Sequence, residues 1–172
     1  MPMSLRVDWH PPVQIKRAPH RASGFSCDEI DSLPKTPGVY VFLAETCDIK
    51  PIYVGETFSL RGRLDSYLRG KHAISGQFVN IPGDVTFIGG SIYIVEKQRT
   101  RHLIRPHESC KLILRAVEFA LIKAEIARDH SLLTHSVANW DGQICFPQSS
   151  YLDSWVPGIA GKYIREGTTE DS

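Results

Sequence analysis

The strongest constraint in this chain is a pair of short runs that suit only extended backbone. Gly38-Val39-Tyr40-Val41-Phe42-Leu43 is β-branched and aromatic. Pro51-Ile52-Tyr53-Val54-Gly55 repeats that character after a short polar stretch at residues 45 to 50. Such side chains fit a pleated, half-buried surface, and Pro37 bounds the first run. A connection this short joins two strands only if they run antiparallel, so a β-hairpin is expected. Side chains alternate faces along a strand. Pairing can therefore bring Tyr40 and Tyr53 together, two phenols near Gly55 on an otherwise apolar sheet. The ordinary role of strand tyrosines is in a core or at its rim.

Helical periodicity follows. Between Ser59 and Gly70, the apolar residues Leu60, Leu64, Tyr67 and Leu68 fall at i, i+4, i+7 and i+8, one face of a helix. Ser59 is the expected N-cap and Gly70 the expected stop. Gly62 costs about 1 kcal/mol against alanine there. Arg63 and Tyr67 are four apart and share a stripe. Arg63 lies at the edge of the buried face, where a guanidinium is costly unless it meets an anion. Arg61 points elsewhere, as a solvated charge or a phosphate contact. Glu56 suits a helix N-terminus as a cap, with a held water or second cation as the alternative.

Farther on, residues 84 to 95 read as a strand pair or one bent strand. Val85, Phe87, Ile92 and Ile94 are its core positions, and Gly89-Gly90 a bulge or turn. Residues 112 to 127 read as a long helix, apolar on most sides and hence central, with Ser109 as its cap. Glu118 lies in its most apolar part. A carboxylate there must be paired, protonated or bound to a cation. A short helix is expected from Ser26 or Cys27 through Ile30.

Residues 1 to 26 carry Pro2, Pro11, Pro12 and Pro19, with Arg6, Lys16, Arg17 and Arg21 against Asp8. They read as a basic arm that lies against the domain or is partly mobile. Residues 27 to 140 form the domain, and 141 to 172 an extension packed on it with a mobile tail. The expected class is α+β, with a small, mostly antiparallel three-stranded sheet flanked by helices.

The chain has 172 residues, enough for one core plus arms. A net charge of +1 decides nothing about nucleic acid, so local clusters must carry that case. Lys97, Arg99, Arg101 and Arg105, with His102 and His107, form one basic run. Arg69, Lys71 and His72 form a smaller one. Cysteines at 27, 47, 110 and 145 lack the spacing of a zinc ribbon or a redox pair, and read as reduced thiols. No apolar run approaches the roughly 20 residues of a membrane span. The start, MPMSLRVDWHPP, has no apolar core of a secretory signal, so a cytoplasmic setting is expected.

Three motifs together carry a resemblance. Leu33-Pro34-Lys35-Thr36-Pro37-Gly38-Val39-Tyr40, then Ile52-Tyr53-Val54-Gly55-Glu56, then Leu60-Arg61-Gly62-Arg63-Leu64-Asp65-Ser66-Tyr67-Leu68 resemble the GIY-YIG endonuclease superfamily. The likeness is nearest to the nuclease domain of the nucleotide-excision-repair incision subunit. It implies a metal-dependent DNA endonuclease with Tyr40, Tyr53, Arg63, Tyr67 and Glu118 as its catalytic set. Glu118 would hold one Mg²⁺ or Mn²⁺. Tyr40 would act as general base, Tyr53 would orient the water, Arg63 would clamp the phosphate, and Tyr67 would support it. Gly38 and Gly55 match the signature glycines. Asn139 matches the late asparagine, given extra intervening residues. Glu56 departs from the lysine usual in the repair relatives, so that lysine's role does not carry over.

The implied partner is DNA, with Arg61, Arg69, Lys71, Lys97, Arg99, Arg101 and Arg105 as its contacts and His72 in support. The chain has no room for a large separate DNA-binding domain, so a homodimer or a partner subunit is the other expectation. Two alternatives stand beside this reading: a catalytically silent nucleic-acid-binding module, and an interaction protein in which Arg63 and Glu118 pair structurally.

Overall fold

A computed structural model describes residues 4–45, 49–72, 75–81, 83–96, 100–104, 110, 111, 113–115, 117, 118, 121, 122 and 143–145. The sheet is organised by one long strand, β6 (Asp84–Glu96). Its residues supply apolar side chains to both faces, Val85 and Phe87 to one and Ile88 and Ile92 to the other. On one side it pairs antiparallel with β4 (Gly38–Glu45), which in turn pairs with β5 (Ile49–Thr57). The same side also carries β7 (Thr100–Leu103). On the other side it pairs antiparallel with β1 (Ser4–Trp9) and β2 (Val13–Arg17). β3 (Phe25–Ser26) extends β2, and β8 (Gln143–Cys145) runs parallel to β1.

The fold is thus α+β and mostly antiparallel, as expected. The sheet is larger than the expected three strands, because residues read as an N-terminal arm enter it. The reason is visible in the residues. Leu5, Val7 and Trp9 alternate with polar positions, and so do Val13 and Ile15, which is strand periodicity. Pro11 and Pro12 have no N–H for a ladder. They part the segment into two strands, while the His10 backbone N–H still reaches the Gly89 carbonyl at 2.8 Å. Arg17 of this segment donates to the carbonyls of Val79, Ile81 and Gly83, and its guanidinium lies over the Phe25 ring. That role is structural.

β6 runs unbroken through Gly89-Gly90, which is neither a turn nor a bulge. The glycines are there for space. A Cβ on Gly90 would lie 2.8 Å from the Trp9 ring, and one on Gly89 would lie 3.1 Å from the Leu60 methyls. The real irregularity is in the hairpin, where the register slips between Phe42 and Leu43 and the extra residue is Ile52. In place of the expected helix from Ser26 or Cys27 there is a 3₁₀ turn at Ile30–Ser32.

Alternation along β4 builds two cores. Val39, Val41 and Leu43 face one way and pack with Val54, Ile88, Ile92 and helical residues of the chain's second half. Those helical residues (110, 111, 113–115, 117, 118, 121 and 122) are called α3 below. α3 already includes Cys110 and Lys111, ahead of the expected start, and Ser109 lies outside the described residues. Tyr40 and Phe42 face the other way and pack with Leu60, Leu64 and Tyr67 of α1 (Leu60–Leu68), and with Phe78 of α2 (Ser75–Phe78). The sheet is therefore a filled middle layer between α1 and α3. Of the expected C-terminal extension, only β8 lies among the described residues.

Gly90→Val tests this register. The added side chain would drive into Val7 and Trp9, and overpacking of this kind costs about 1–3 kcal/mol. The urea midpoint should fall with the slope unchanged. Unaltered stability would mean that β1 is not seated over Gly90.

Candidate active site

Helix α1 is held at its N-terminus by the loop that precedes β4. The first N–H groups of a helix have no partner inside it. Here Leu60 N–H donates to the Thr36 carbonyl and Arg61 N–H to the Pro34 carbonyl, both at 3.1 Å. The Ser59 hydroxyl accepts from Gly62 N–H at 3.1 Å. Ser59 is thus the cap, as expected, and Glu56 is not: it belongs to β5, opposite Val39. The far end closes on Gly70, at φ 67°, with Gly70 N–H on the Tyr67 carbonyl and Lys71 N–H on the Ser66 carbonyl. This is the Schellman pattern of a glycine stop.

Arg61 joins the same staple. Its Nε donates to the Leu33 carbonyl at 2.7 Å, and its other nitrogens reach the Asp31 carbonyl and carboxylate. Its donors hold α1 to residues 31 to 33. Arg69 pairs with Asp65 one turn back, at 2.8 Å. Lys71 is exposed, with no hydrogen bond or ion pair to its ammonium among the described residues.

Fixed this way, α1 presses Tyr67 onto the sheet beside Tyr40 and Tyr53. Ring centroids lie 6.1 Å apart for Tyr40 and Tyr67, 6.4 Å for Tyr53 and Tyr67, and 6.0 Å for Tyr40 and Tyr53. The hydroxyls of Tyr40 and Tyr67 are 3.0 Å apart and hydrogen-bonded, so one donates to the other. Tyr53 joins them through ring packing. Tyr53 is the partly exposed member, whereas Tyr40 is 1% exposed.

Two glycines make room for this cluster. Tyr40 is paired with Gly55 on one side and with Gly89 on the other. A Cβ on Gly55 would overlap the Tyr40 hydroxyl and sit 2.9 Å from the Tyr53 ring. Gly55 therefore serves the cluster through its missing side chain. Gly38 is bare for a similar reason, since a Cβ there would strike the Gly90 carbonyl.

The electrostatics keep the buried phenols protonated. Burial pushes Tyr40 well above the ordinary tyrosine range, and the neighbouring phenols add to the shift. The charge of Arg63 opposes it and is the smallest influence. Tyr67 is raised too, burial again leading, with Arg63 pulling weakly down. The guanidinium of Arg63 has no hydrogen bond or ion pair among the described residues. It stands beside the phenols as a charge open to an anion. His72 packs on Tyr67, rings 4.3 Å apart, with Nδ1 buried and without a hydrogen-bond partner. Desolvation, then Arg63, lowers its pKa.

Glu118 is buried at 8% exposure, as its surroundings in the sequence imply. Its helix packs on the sheet face opposite the phenols. Glu56 alternates with Gly55 and shares the face of Val54, the α3 face. No group of three or more histidines, cysteines or acids that could hold a metal occurs among the described residues. Magnesium does not need one, because it keeps several waters and binds through one or two carboxylates plus substrate phosphate. A buried glutamate on the face that also carries Glu56 fits that donor set. Lys97, Arg99, Arg105, His107 and Asn139 lie outside the described residues. Arg101 and His102 lie in β7, with their side chains undescribed.

Sequence reasoning missed a second polar chain. The Ser91 hydroxyl, buried on β6, lies 2.7 Å from the Thr36 hydroxyl and 2.7 Å from His10 Nε2. It pins the loop before β4 to the break between β1 and β2. Only the strand periodicity of residues 5 to 15 hinted that His10 would reach there.

A raised phenol pKa in the folded state favours the neutral form. Stability from Tyr40 and Tyr67 is thus complete below pH about 10 and lost above it, as the unfolded chain ionises. Ultraviolet titration should show fewer than all six tyrosines ionising while the fold persists. Six ordinary titrations near pH 10 in folded protein would contradict the buried phenol pair. Comparison with protein-family models, with curated proteins and with solved structures finds no match to this chain.

Proposed function

We propose that the chain is a divalent-cation-dependent endonuclease that hydrolyses DNA phosphodiester bonds at the phenol and Arg63 cluster. The observation that carries this reading is the phenol cluster: Tyr40, Tyr53 and Tyr67 packed together on one sheet face, with the charge of Arg63 acting on Tyr40 and Tyr67. The resemblance of the Gly38-Val39-Tyr40 and Tyr53-Val54-Gly55 segments to the GIY-YIG signature supports it. So does the burial of Glu118.

Phosphodiester hydrolysis needs a placed water, charge stabilisation at phosphorus and help for the leaving oxygen. Arg63 binds a non-bridging phosphate oxygen and offsets the charge that grows on it. Tyr53 presents its hydroxyl to the phosphate or to the attacking water. Tyr67 packs against the Tyr53 ring, and Tyr40 hydrogen-bonds Tyr67. A protonated Tyr40, buried behind the others, positions rather than accepts a proton in the free protein. This shifts the water-facing role from Tyr40 to Tyr53. Glu118, with Glu56 on the same sheet face, would hold Mg²⁺ or Mn²⁺, and the cation would supply positive charge for the leaving oxygen. DNA is the proposed partner, with Lys71 as a phosphate contact.

Nicking of supercoiled plasmid in Mg²⁺ tests the reading. Arg63→Ala should slow cleavage by about 10²–10³-fold, the usual cost of a lost electrostatic donor. Glu118→Ala should act as strongly, and Tyr53→Phe should cost more than Tyr40→Phe. Failure to cut single-stranded, duplex and branched DNA would sink the nuclease reading. Unchanged cutting by both the Arg63 and Glu118 variants would move the site elsewhere.

One observation favours a second reading. Tyr40 and Tyr67 also belong to an aromatic core with Phe42, Phe78 and Phe87. A silent nucleic-acid-binding module would keep that core and bind without cutting. Arg63→Ala would then lower affinity for DNA in a wild-type protein that never nicks it. A structural Arg63–Glu118 pair has less support, since α1 and α3 pack on opposite faces of the sheet.

A further inference from the structure

His72 has two sides. One lies on the Tyr67 ring, and the other lines a concave pocket of about 530 Å³ with Ser23, Gly70, Lys71, Gly76 and Val79. The lining mixes apolar and cationic groups. Val79 is exposed and apolar, at 51%, and Ala22 is a second apolar lining residue. Gly76 presents no side chain, and a Cβ there would meet nothing within 4 Å. The exposed Lys71 and the His72 ring, whose buried Nδ1 has no hydrogen-bond partner, also line it. Two lining hydroxyls are already satisfied: Ser23 Oγ donates to the Leu68 carbonyl at 2.7 Å and Ser75 Oγ to the Tyr67 carbonyl at 3.4 Å. Among the described residues no carboxylate lines the pocket.

We infer that this pocket takes one nucleotide of a DNA strand next to the phosphate held at Arg63, with its phosphate on Lys71 and His72 and its sugar or base against Ala22 and Val79. The inference rests on the proposed nuclease site for the identity of the strand, and on the pocket alone for the place of the nucleotide. The chemistry matches on both counts. A nucleotide has one anionic and one flat apolar part, and the pocket is lined by a lysine and an imidazole as well as by Ala22 and Val79. The charge of Arg63, felt at His72, adds to the pull on an anion. A bound phosphate would also give the orphaned imidazole a reason to take up a proton. Loop 18–24 forms the outer wall through Ala22 and Ser23, so the N-terminal segment would help to read the strand as well as build the sheet.

Gly76→Leu puts a bulky side chain at the pocket lining without replacing Arg63 or the phenols, and Lys71→Gln removes the cation. The probe is a fluorescein-labelled 16-mer DNA, as single strand and as duplex, read by anisotropy in Ca²⁺ to hold back cleavage. Each variant should weaken binding by about tenfold, with circular dichroism and thermal melting unchanged. A shift of the His72 ring proton signals on adding the oligonucleotide is the second readout. Tight binding by both variants, with His72 signals unmoved, would overturn the pocket while leaving plasmid nicking intact. Weakened binding in a protein that never nicks DNA would keep the pocket and sink the nuclease. No binding of either oligonucleotide by the wild type would overturn the inference outright.

Discussion

The phenol cluster depends on how the N-terminus of α1 is held. Helix ends leave donors that must be met somewhere. In this chain, residues 31 to 36 meet them, through the carbonyls of Pro34 and Thr36 and the grip of Arg61 on Leu33 and Asp31. Thr36 is anchored in turn to Ser91 on the central strand. α1 can therefore neither slide nor rotate without breaking several polar contacts at once. Leu60 and Leu64 then lock it onto the sheet, each burial stabilising by about 1.5–3 kcal/mol. Arg63 and Tyr67 take their places from that geometry.

The second constraint is the cluster of phenols. A buried hydroxyl without a partner is costly, and those of Tyr40 and Tyr67 satisfy one another. Bare glycines on both sides of Tyr40 allow the rings to stand so close. The outcome is a rigid cluster with Tyr53 partly exposed. Its rigidity comes from packing with Phe42, Phe87 and Phe78, so the same residues serve core and site. That dual use explains why burial, rather than the arginine, dominates the protonation of Tyr40.

Much of this was legible in the residues. The hairpin, the helix with its Ser59 cap and Gly70 stop, and the burial of Glu118 each follow from short-range rules of alternation, capping and periodicity. What escaped depended on long-range pairing. The prolines at 11 and 12 drew attention away from Val7, Trp9, Val13 and Ile15, whose alternation marks two strands. Gly89-Gly90 looked like a turn because the steric demand of Trp9 and Leu60 comes from distant segments. Arg61 looked solvated because its partners lie 28 and 30 residues away. The depth at which Tyr40 is buried also escaped, because alternation places a phenol on a face without saying what covers it.

The two halves of the proposed site stand on opposite faces of one sheet, whose edge strand next to Tyr53 is β5. The account requires a cation held by Glu118 to lie close to Tyr53 around that edge. Paramagnetic Mn²⁺ reads this closeness directly, since it broadens the proton signals of nearby rings. The account predicts that Mn²⁺ broadens the Tyr53 ring signals in the wild type, and that Glu118→Gln abolishes the effect. Mn²⁺ that binds through Glu118 and leaves the Tyr53 signals sharp would contradict it.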